Sequence, residues 1–242
     1  MNKMNFQLIY ILPNLFTAAS AFIGVISIIA ASKGEFEKAA WLILLSLIFD
    51  GLDGRIARLT HTTSKFGMEF DSLADIVAFG AAPAMLLYFC CGNEFGRFGS
   101  LVSAIFVVFG AIRLARFNVM APSSEPSVFI GVPIPTAAVF IAVWILMYQK
   151  YPMLKDFSLL LLIGALICAF LMVSNIRYPS FKKIELKKMY VIKILIILII
   201  TFSLLYLYPI EGITVFITIY ILYGIFRALF YVLLRKKRKN IV

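Results

Sequence analysis

The chain has 242 residues, of which 62% are hydrophobic and only 14% are charged. Soluble domains are nearer half apolar and a quarter charged, so this composition places the chain among membrane proteins and excludes an ordinary soluble enzyme. The net charge of +11 does not indicate a soluble nucleic-acid-binding domain, because the basic residues lie between long apolar runs.

Eight apolar segments are long enough to predict transmembrane helices, which need about 20 mostly apolar residues each. In chain order they lie at roughly 8–31, 37–54, 72–92, 98–118, 131–149, 157–174, 191–208 and 213–233. The first is longer than the ~7–15-residue apolar core of a signal peptide, and Pro13 and Asn14 interrupt its start, so we expect it to be retained. The sequence therefore predicts an all-α, polytopic membrane helix bundle of about eight transmembrane helices.

The basic residues predict how this bundle is oriented. With eight helices, both termini lie on the same side of the membrane, and 18 of the 23 basic residues fall on that side. They include six in the stretch 177–193 and five in the tail 235–239. Cytoplasmic loops carry an excess of Lys and Arg, so we expect a multi-pass protein of the cell (inner) membrane with both termini in the cytoplasm.

Four aspartates stand close together in the second and third predicted helices. Asp50 and Asp53 are spaced i, i+3, and Asp71 and Asp75 are spaced i, i+4, so each pair shares one helical face. If the two helices pack antiparallel across the turn at 59–69, the two faces converge at the cytoplasmic end of the bundle. Ionised groups at that depth are costly, which makes them candidates for function.

Two interpretations of these acids are open. They can pair with Arg55, Arg58 and Lys65, or they can bind divalent cations. Four carboxylates on facing surfaces repel one another unless cations neutralise them, which favours the second interpretation. Oxygen ligands without His or Cys are typical of Mg²⁺ or Mn²⁺ sites, and two such ions suit phosphoryl chemistry.

Small residues are interleaved with the aspartates. Gly54 and Ala57 follow Asp53, and Gly67 lies a few residues before Asp71. A residue with little or no side chain lets a ligand approach the backbone closely. A lone small residue would indicate helix packing, but three of them beside four acids indicate a pocket.

At these positions the chain resembles the CDP-alcohol phosphatidyltransferase family, whose signature has the same residues at the same gaps. The matching residues are Asp50, Asp53, Gly54, Ala57, Arg58, Gly67, Asp71 and Asp75. The resemblance implies a metal-dependent transfer of a phosphatidyl group from CDP-diacylglycerol to an alcohol, with release of CMP. It also implies a six-helix catalytic core, which we place at 1–174 of a single membrane domain, and a homodimer. A basic loop, two additional transmembrane helices and a basic tail would then occupy 175–242.

The resemblance also assigns roles to individual residues. It makes Asp50, Asp53, Asp71 and Asp75 the ligands of two Mg²⁺ or Mn²⁺ ions, with Asp75 also acting as the general base. It places five residues against CDP-diacylglycerol, namely Asn14, Gly54, Ala57, Arg58 and Gly67. The motif contains no obvious covalent nucleophile, so we expect a sequential reaction.

Three further segments bear on the acceptor alcohol. The stretches 79–84, 113–118 and 131–135 resemble the branch of the family that uses L-serine. Arg113 and Arg116 lie near the depth of the aspartates, where their guanidiniums can hold the serine carboxylate or a lipid phosphate, and Asn118 lies just beyond. Alternatively, both arginines are anchors at the cytoplasmic surface. We expect L-serine as acceptor, with Arg113, Arg116 and Asn118 as its contacts.

Other functions are compatible with parts of this pattern. A family member acting on glycerol 3-phosphate, inositol or choline would carry the same aspartates. A divalent-cation transporter would also need membrane carboxylates, but all four acids lie at one membrane face and no second acidic layer crosses the midplane. The transporter is therefore the more distant alternative.

Overall fold

The computed structural model describes residues 3–120, 128–179, 196, 199, 201–203 and 205–239. Within these residues the chain is almost entirely helical. The α-helices are α1 (Lys3–Ser32), α2 (Phe36–Leu59), α3 (Lys65–Asp75), α4 (Ala82–Cys90), α5 (Arg97–Met120), α6 (Ile134–Lys150), α7 (Ser158–Val173) and α8 (Pro209–Lys239). A π-helical turn, Ile76–Ala81, joins α3 to α4, and short 3₁₀ helices cover Gly92–Phe95 and Pro152–Phe157.

Five described helical segments are long and apolar enough to cross a membrane. They are Ile11–Ser32, Lys65–Cys90, Arg97–Met120, Pro152–Val173 and Pro209–Arg227. Many of their large apolar side chains, such as Leu15 and Phe22 of α1, point outward, as expected for a surface in contact with lipid. The all-α class is confirmed, and the chain is an integral membrane protein.

The sequence predicts eight spans, three more than the five that the described residues contain. The second candidate, α2, carries the charged motif in its last turns, and α6 is an apolar helix of 17 residues. The candidate at 191–208 lies largely outside the described residues, as do the basic stretch after 179 and the last three residues of the chain.

The two helices of the aspartate motif differ from their predicted bounds. α2 continues to Leu59, because its polar motif is itself helical, and the next helix begins at Lys65 rather than near 72. Ser64 caps that helix, since its hydroxyl accepts a 2.9 Å hydrogen bond from the Gly67 backbone N–H. Capping by a polar side chain explains why the helix begins before the apolar run does.

α1 and α2 form an antiparallel pair after a short turn. Ser27 donates to the Ala39 carbonyl at 2.8 Å, and Ser20 donates to the Ser46 carbonyl at 3.1 Å. Small residues at helix contacts let backbones approach closely, and hydrogen bonds from hydroxyl groups join helices within a membrane. This pairing places Asn14 and Thr17 of α1 beside the end of α2 that carries the aspartates.

Two further contacts join helices at the two ends of the bundle. A short antiparallel ribbon pairs β1 (Val128–Ile130) with β2 (Arg177–Pro179), which joins the start of α6 to the end of α7. At the opposite end of the bundle, Lys150 of α6 forms a 2.5 Å ion pair with Glu211 of α8. The buried core lies among α4, α5, α6 and α7, with α6 the most enclosed.

Candidate active site

The site lies where the chain turns from α2 into α3. His61 adopts a left-handed backbone conformation, with φ of +54°, and the Thr62 backbone N–H donates to the Ala57 carbonyl at 2.9 Å. These features reverse the chain within residues 60–64. α3 then packs mainly against α1, and the carboxylate of Asp71 on α3 comes close to those of Asp50 and Asp53 on α2.

Three of the four aspartates form a compact cluster. Carboxylate oxygens of Asp50, Asp53 and Asp71 lie within 4.8 Å of one another. Asp75 lies one turn further along α3, where its side chain contacts that of Asp50 and is only 8% exposed. The predicted convergence of the two faces is therefore present in the structure, with Asp75 on the buried side of the cluster.

The surroundings of the cluster fit a divalent cation. Oδ1 of Asp71 and Oδ1 of Asp75 are buried and have no hydrogen-bond partner among the described residues. A buried carboxylate oxygen without a donor is costly, and several close together repel one another unless a cation is present. All the donor atoms are oxygens, which hard cations such as Mg²⁺ and Mn²⁺ prefer.

The basic residues of the motif do not form ion pairs with these acids. Arg55, Arg58 and Lys65 make no ion pair with any of the four aspartates. The ion pairs Lys38–Glu35 and Lys150–Glu211 both lie away from the cluster. The interpretation of the motif as a set of salt bridges is therefore not supported.

A cavity of about 340 Å³, with polar and charged side chains in its wall, opens beside the cluster. Asp53 and Asp71 line this cavity. So do all five residues predicted to contact CDP-diacylglycerol, namely Asn14, Gly54, Ala57, Arg58 and Gly67. A Cβ on Gly67 would lie 3.2 Å from the Ser64 hydroxyl and 3.3 Å from the Asn14 side-chain oxygen. Glycine at 67 thus lets the first turn of α3 approach α1 closely.

Sequence reasoning missed part of this wall. Thr17, Thr62, Thr63 and Ser64 also line the cavity. Thr17 follows Asn14 by three residues and therefore shares its face of α1, a spacing that could have indicated it. The other three belong to the turn after α2, where polar residues are ordinary and carry no signal of their own.

The residues predicted to bind serine have distinct surroundings. Arg113 is 8% exposed, its guanidinium carbon lies 5.3 Å from the centre of the Phe117 ring, and its charge acts on Asp75. Asn118, at the end of α5, donates to the Ser72 hydroxyl at 2.9 Å. Asn118 therefore connects α5 with α3, the helix that carries Asp71 and Asp75.

Arg116 contacts a different part of the protein. Its guanidinium donates to the backbone carbonyls of Ile130, Met172, Val173 and Ser174 and to the side-chain oxygen of Asn175, at 2.8–3.4 Å. These acceptors belong to the end of α7 and the start of the segment leading to α6. The role of Arg116 in serine binding stays a prediction, and its observed contacts are with the protein backbone.

The fold and the site together define a class: an integral membrane helix bundle with a carboxylate cluster and an adjoining cavity at one end. The model of the CDP-alcohol phosphatidyltransferase family matches residues 10–173 of this chain, which include the cluster and the cavity wall. The chain belongs to this family, as the signature residues predicted.

Relatives extend the similarity beyond that region. The CDP-diacylglycerol–serine O-phosphatidyltransferase of Helicobacter pylori is 52% identical over 223 residues, 92% of this chain and 92% of the relative. The protein of the same name from Methanocaldococcus jannaschii is 40% identical over 163 residues, 67% of this chain and 74% of the relative. The archaetidylserine synthase of Methanothermobacter thermautotrophicus is 35% identical over 181 residues, 74% of each chain.

Proposed function

We propose that this chain transfers the phosphatidyl group of CDP-diacylglycerol to L-serine, giving phosphatidylserine and CMP. The observation that carries the proposal is the 52% identity, over 92% of both chains, to a relative named for this reaction. The cavity beside the aspartate cluster supports it independently, because it offers room for a charged nucleotide group at one end of a membrane bundle.

The cavity suits the polar part of CDP-diacylglycerol. Arg58 supplies a cation for the pyrophosphate, and Gly54, Ala57 and Gly67 keep the wall open to it. Asn14 supplies a polar contact from α1. The two acyl chains remain among apolar helix surfaces, so the lipid enters from the membrane while its nucleotide occupies the cavity.

Asp50, Asp53, Asp71 and Asp75 would hold two divalent cations. When bound, such ions neutralise charge on the pyrophosphate and on the leaving CMP. The choice between Mg²⁺ and Mn²⁺ is open, since both accept oxygen ligands alone. The unpartnered oxygens of Asp71 and Asp75 support this assignment.

Asp75 is the general base of the proposed reaction. Its carboxylate takes the proton from the serine hydroxyl as the hydroxyl oxygen attacks the phosphorus that carries the diacylglycerol. A new P–O bond to serine forms, the P–O bond to CMP breaks, and CMP leaves with the electron pair. Asp75 is the more enclosed of the two aspartates on α3, where exclusion of water favours proton transfer to a positioned base.

The acceptor would lie between α3 and α5. Arg113 is close enough to Asp75 for their charges to interact, and it is the proposed ligand of the serine carboxylate, assisted by Arg116 and Asn118. Asn118 already contacts α3 through Ser72. This arrangement would bring the serine hydroxyl toward Asp75.

The proposal extends to topology. We propose eight transmembrane helices, a cytoplasmic active site in the cell (inner) membrane, and a homodimer. The division into a catalytic core at 1–174 and an additional unit at 175–242 is part of the same proposal. The excess of basic residues on one side supports the orientation.

The test is release of CMP by the purified protein from CDP-diacylglycerol with a panel of alcohols. L-Serine should support release in the presence of Mg²⁺ or Mn²⁺, and a chelator should abolish it. Release of CMP with glycerol 3-phosphate, inositol or choline but not with L-serine would overturn the assignment of L-serine as the acceptor. Cation uptake into vesicles without CMP release would instead identify a transporter.

A further inference from the structure

Thr17 of α1 makes a short hydrogen bond to the aspartate cluster. Its hydroxyl oxygen lies 2.6 Å from Oδ2 of Asp53 and 3.2 Å from the carbonyl oxygen of Pro13, one helical turn earlier. Thr17 is 4% exposed and Asp53 is 6% exposed, so water does not compete strongly for either group. The signature of the family does not include this threonine.

The distances indicate where the single hydroxyl proton points. Bonds from a hydroxyl to a carboxylate are typically about 2.5–2.7 Å long, whereas 3.2 Å is beyond the usual range for a hydroxyl donor. The Pro13 carbonyl can only accept. An Asp53 that binds a cation is ionised, so the hydroxyl of Thr17 must then be the donor.

The other oxygen of Asp53 is held as well. Oδ1 accepts a hydrogen bond from the backbone N–H of Gly54. A carboxylate has roughly four acceptor positions, so one donor on each oxygen still leaves capacity for a cation on both. Asp71 and Asp75, by contrast, each have a buried oxygen without a partner among the described residues.

We propose that Thr17 is a positioning residue that holds the Asp53 carboxylate in the orientation in which it binds a divalent cation. The inference rests on the metal site of the proposed function and adds a residue from a third helix to it. A carboxylate fixed in advance loses less rotational freedom when the cation binds, and removing such a supporting partner typically costs about 10- to 100-fold in metal affinity.

α1 thereby contributes residues to both the nucleotide cavity and the metal site. Asn14 faces the nucleotide cavity and Thr17 supports the metal ligand, and the two are three residues apart on one helical face. The same helix is tied to α2 through Ser20, whose hydroxyl donates to the Ser46 carbonyl at 3.1 Å. Ser20 provides a matched control, because it makes a buried hydrogen bond in the same interface without touching a carboxylate.

The experiment measures Mn²⁺ binding to the purified protein by electron paramagnetic resonance or calorimetry, independently of turnover. Thr17→Val keeps the shape of the side chain and removes the hydroxyl, and it should raise the Kd for Mn²⁺ by about 10- to 100-fold. Thr17→Ser retains the hydroxyl and should bind within about threefold of the wild type. If valine is not tolerated, Thr17→Ala gives the same comparison without added bulk.

Ser20→Ala should lower the melting temperature measured without metal and leave the Kd for Mn²⁺ unchanged. Equal weakening by Thr17→Val and Ser20→Ala would overturn the proposal, because it would indicate a general packing effect. The proposal would also be overturned if Thr17→Val bound Mn²⁺ with wild-type affinity while Asp53→Asn lost Mn²⁺ binding. A wild-type protein that binds neither Mn²⁺ nor Mg²⁺ would overturn the metal site itself, and the inference with it.

Discussion

The guanidinium of Arg116 donates a 2.8 Å hydrogen bond to the backbone carbonyl of Val173, at the C-terminal end of α7. The last carbonyls of a helix have no partner within the helix and carry partial negative charge, so a cation placed there stabilises them. Arg116 therefore joins the end of α5 to the end of α7, and it also reaches the Ile130 carbonyl just before α6.

Arg116→Ala should lower the stability of the protein. Hydrogen bonds to a charged group are worth about 1.5–3 kcal/mol each, and the truncated side chain would leave several partly buried carbonyls without a donor. We expect a clear fall in melting temperature in detergent, with Arg116→Lys intermediate, because lysine lacks the planar fork. A raised serine KM at unchanged melting temperature would show that Arg116 acts on serine alone and that its backbone contacts do not stabilise the fold.

Arg113→Ala should act mainly on the acceptor. Losing one charged hydrogen-bond partner in a partly buried site costs about 1.5–3 kcal/mol, or about ten- to a hundredfold. We expect the KM for L-serine to rise by that factor while the KM for CDP-diacylglycerol changes little. Steady-state kinetics with each substrate varied in turn measures both. A rise confined to the lipid KM would reassign Arg113 to a phosphate contact.

Asp75→Asn should abolish turnover and retain binding of CDP-diacylglycerol. The substitution keeps the shape of the side chain and removes the proton acceptor. Asp53→Asn is the comparison, because loss of a metal ligand should weaken metal dependence and nucleotide binding together. Measured CMP release and equilibrium binding separate the two effects, and near-normal rates in Asp75→Asn would rule it out as the general base.

Gly67→Ala should weaken binding of CDP-diacylglycerol. The added Cβ would meet the Ser64 hydroxyl and the Asn14 side chain at 3.2 and 3.3 Å, which forces one of these cavity residues to move. Gly51→Ala is the matched control within the adjoining helix, since a Cβ there meets nothing within 4 Å. We expect a raised lipid KM for the first substitution and no change for the second. Equal kinetics for both would show that the cavity tolerates the shift.

Single cysteines at positions 2, 185 and 240 should resist impermeant thiol reagents in intact cells. The background must lack Cys90, Cys91 and Cys168, the three native cysteines. The expectation follows from the excess of basic residues assigned to the cytoplasmic side. Labelling of position 240 from outside would contradict a topology of eight helices.

The sequence by itself determined the class of the fold and most of the cavity. Apolar runs of about 20 residues favour transmembrane helices wherever they occur, because the backbone must satisfy its own hydrogen bonds in lipid. The i, i+3 and i, i+4 spacings of the aspartates fixed their shared faces, because helix geometry is local. Gly54 and Gly67 were found through a signature of short fixed gaps, and Asn14 through a separate resemblance to the family in the first helix.

The tertiary structure decided which distant residues meet. Thr17 and Asp53 are 36 residues apart, and Arg116 and Val173 are 57 apart. It also placed Asp75 one helical turn beyond the three clustered carboxylates, in contact with Asp50. Sequence periodicity specifies the face on which a residue lies, but helix packing specifies what that face contacts. The hydroxyl of Thr17 and the guanidinium of Arg116 therefore acquired their partners only when α1, α5 and α7 took their places around α2 and α6.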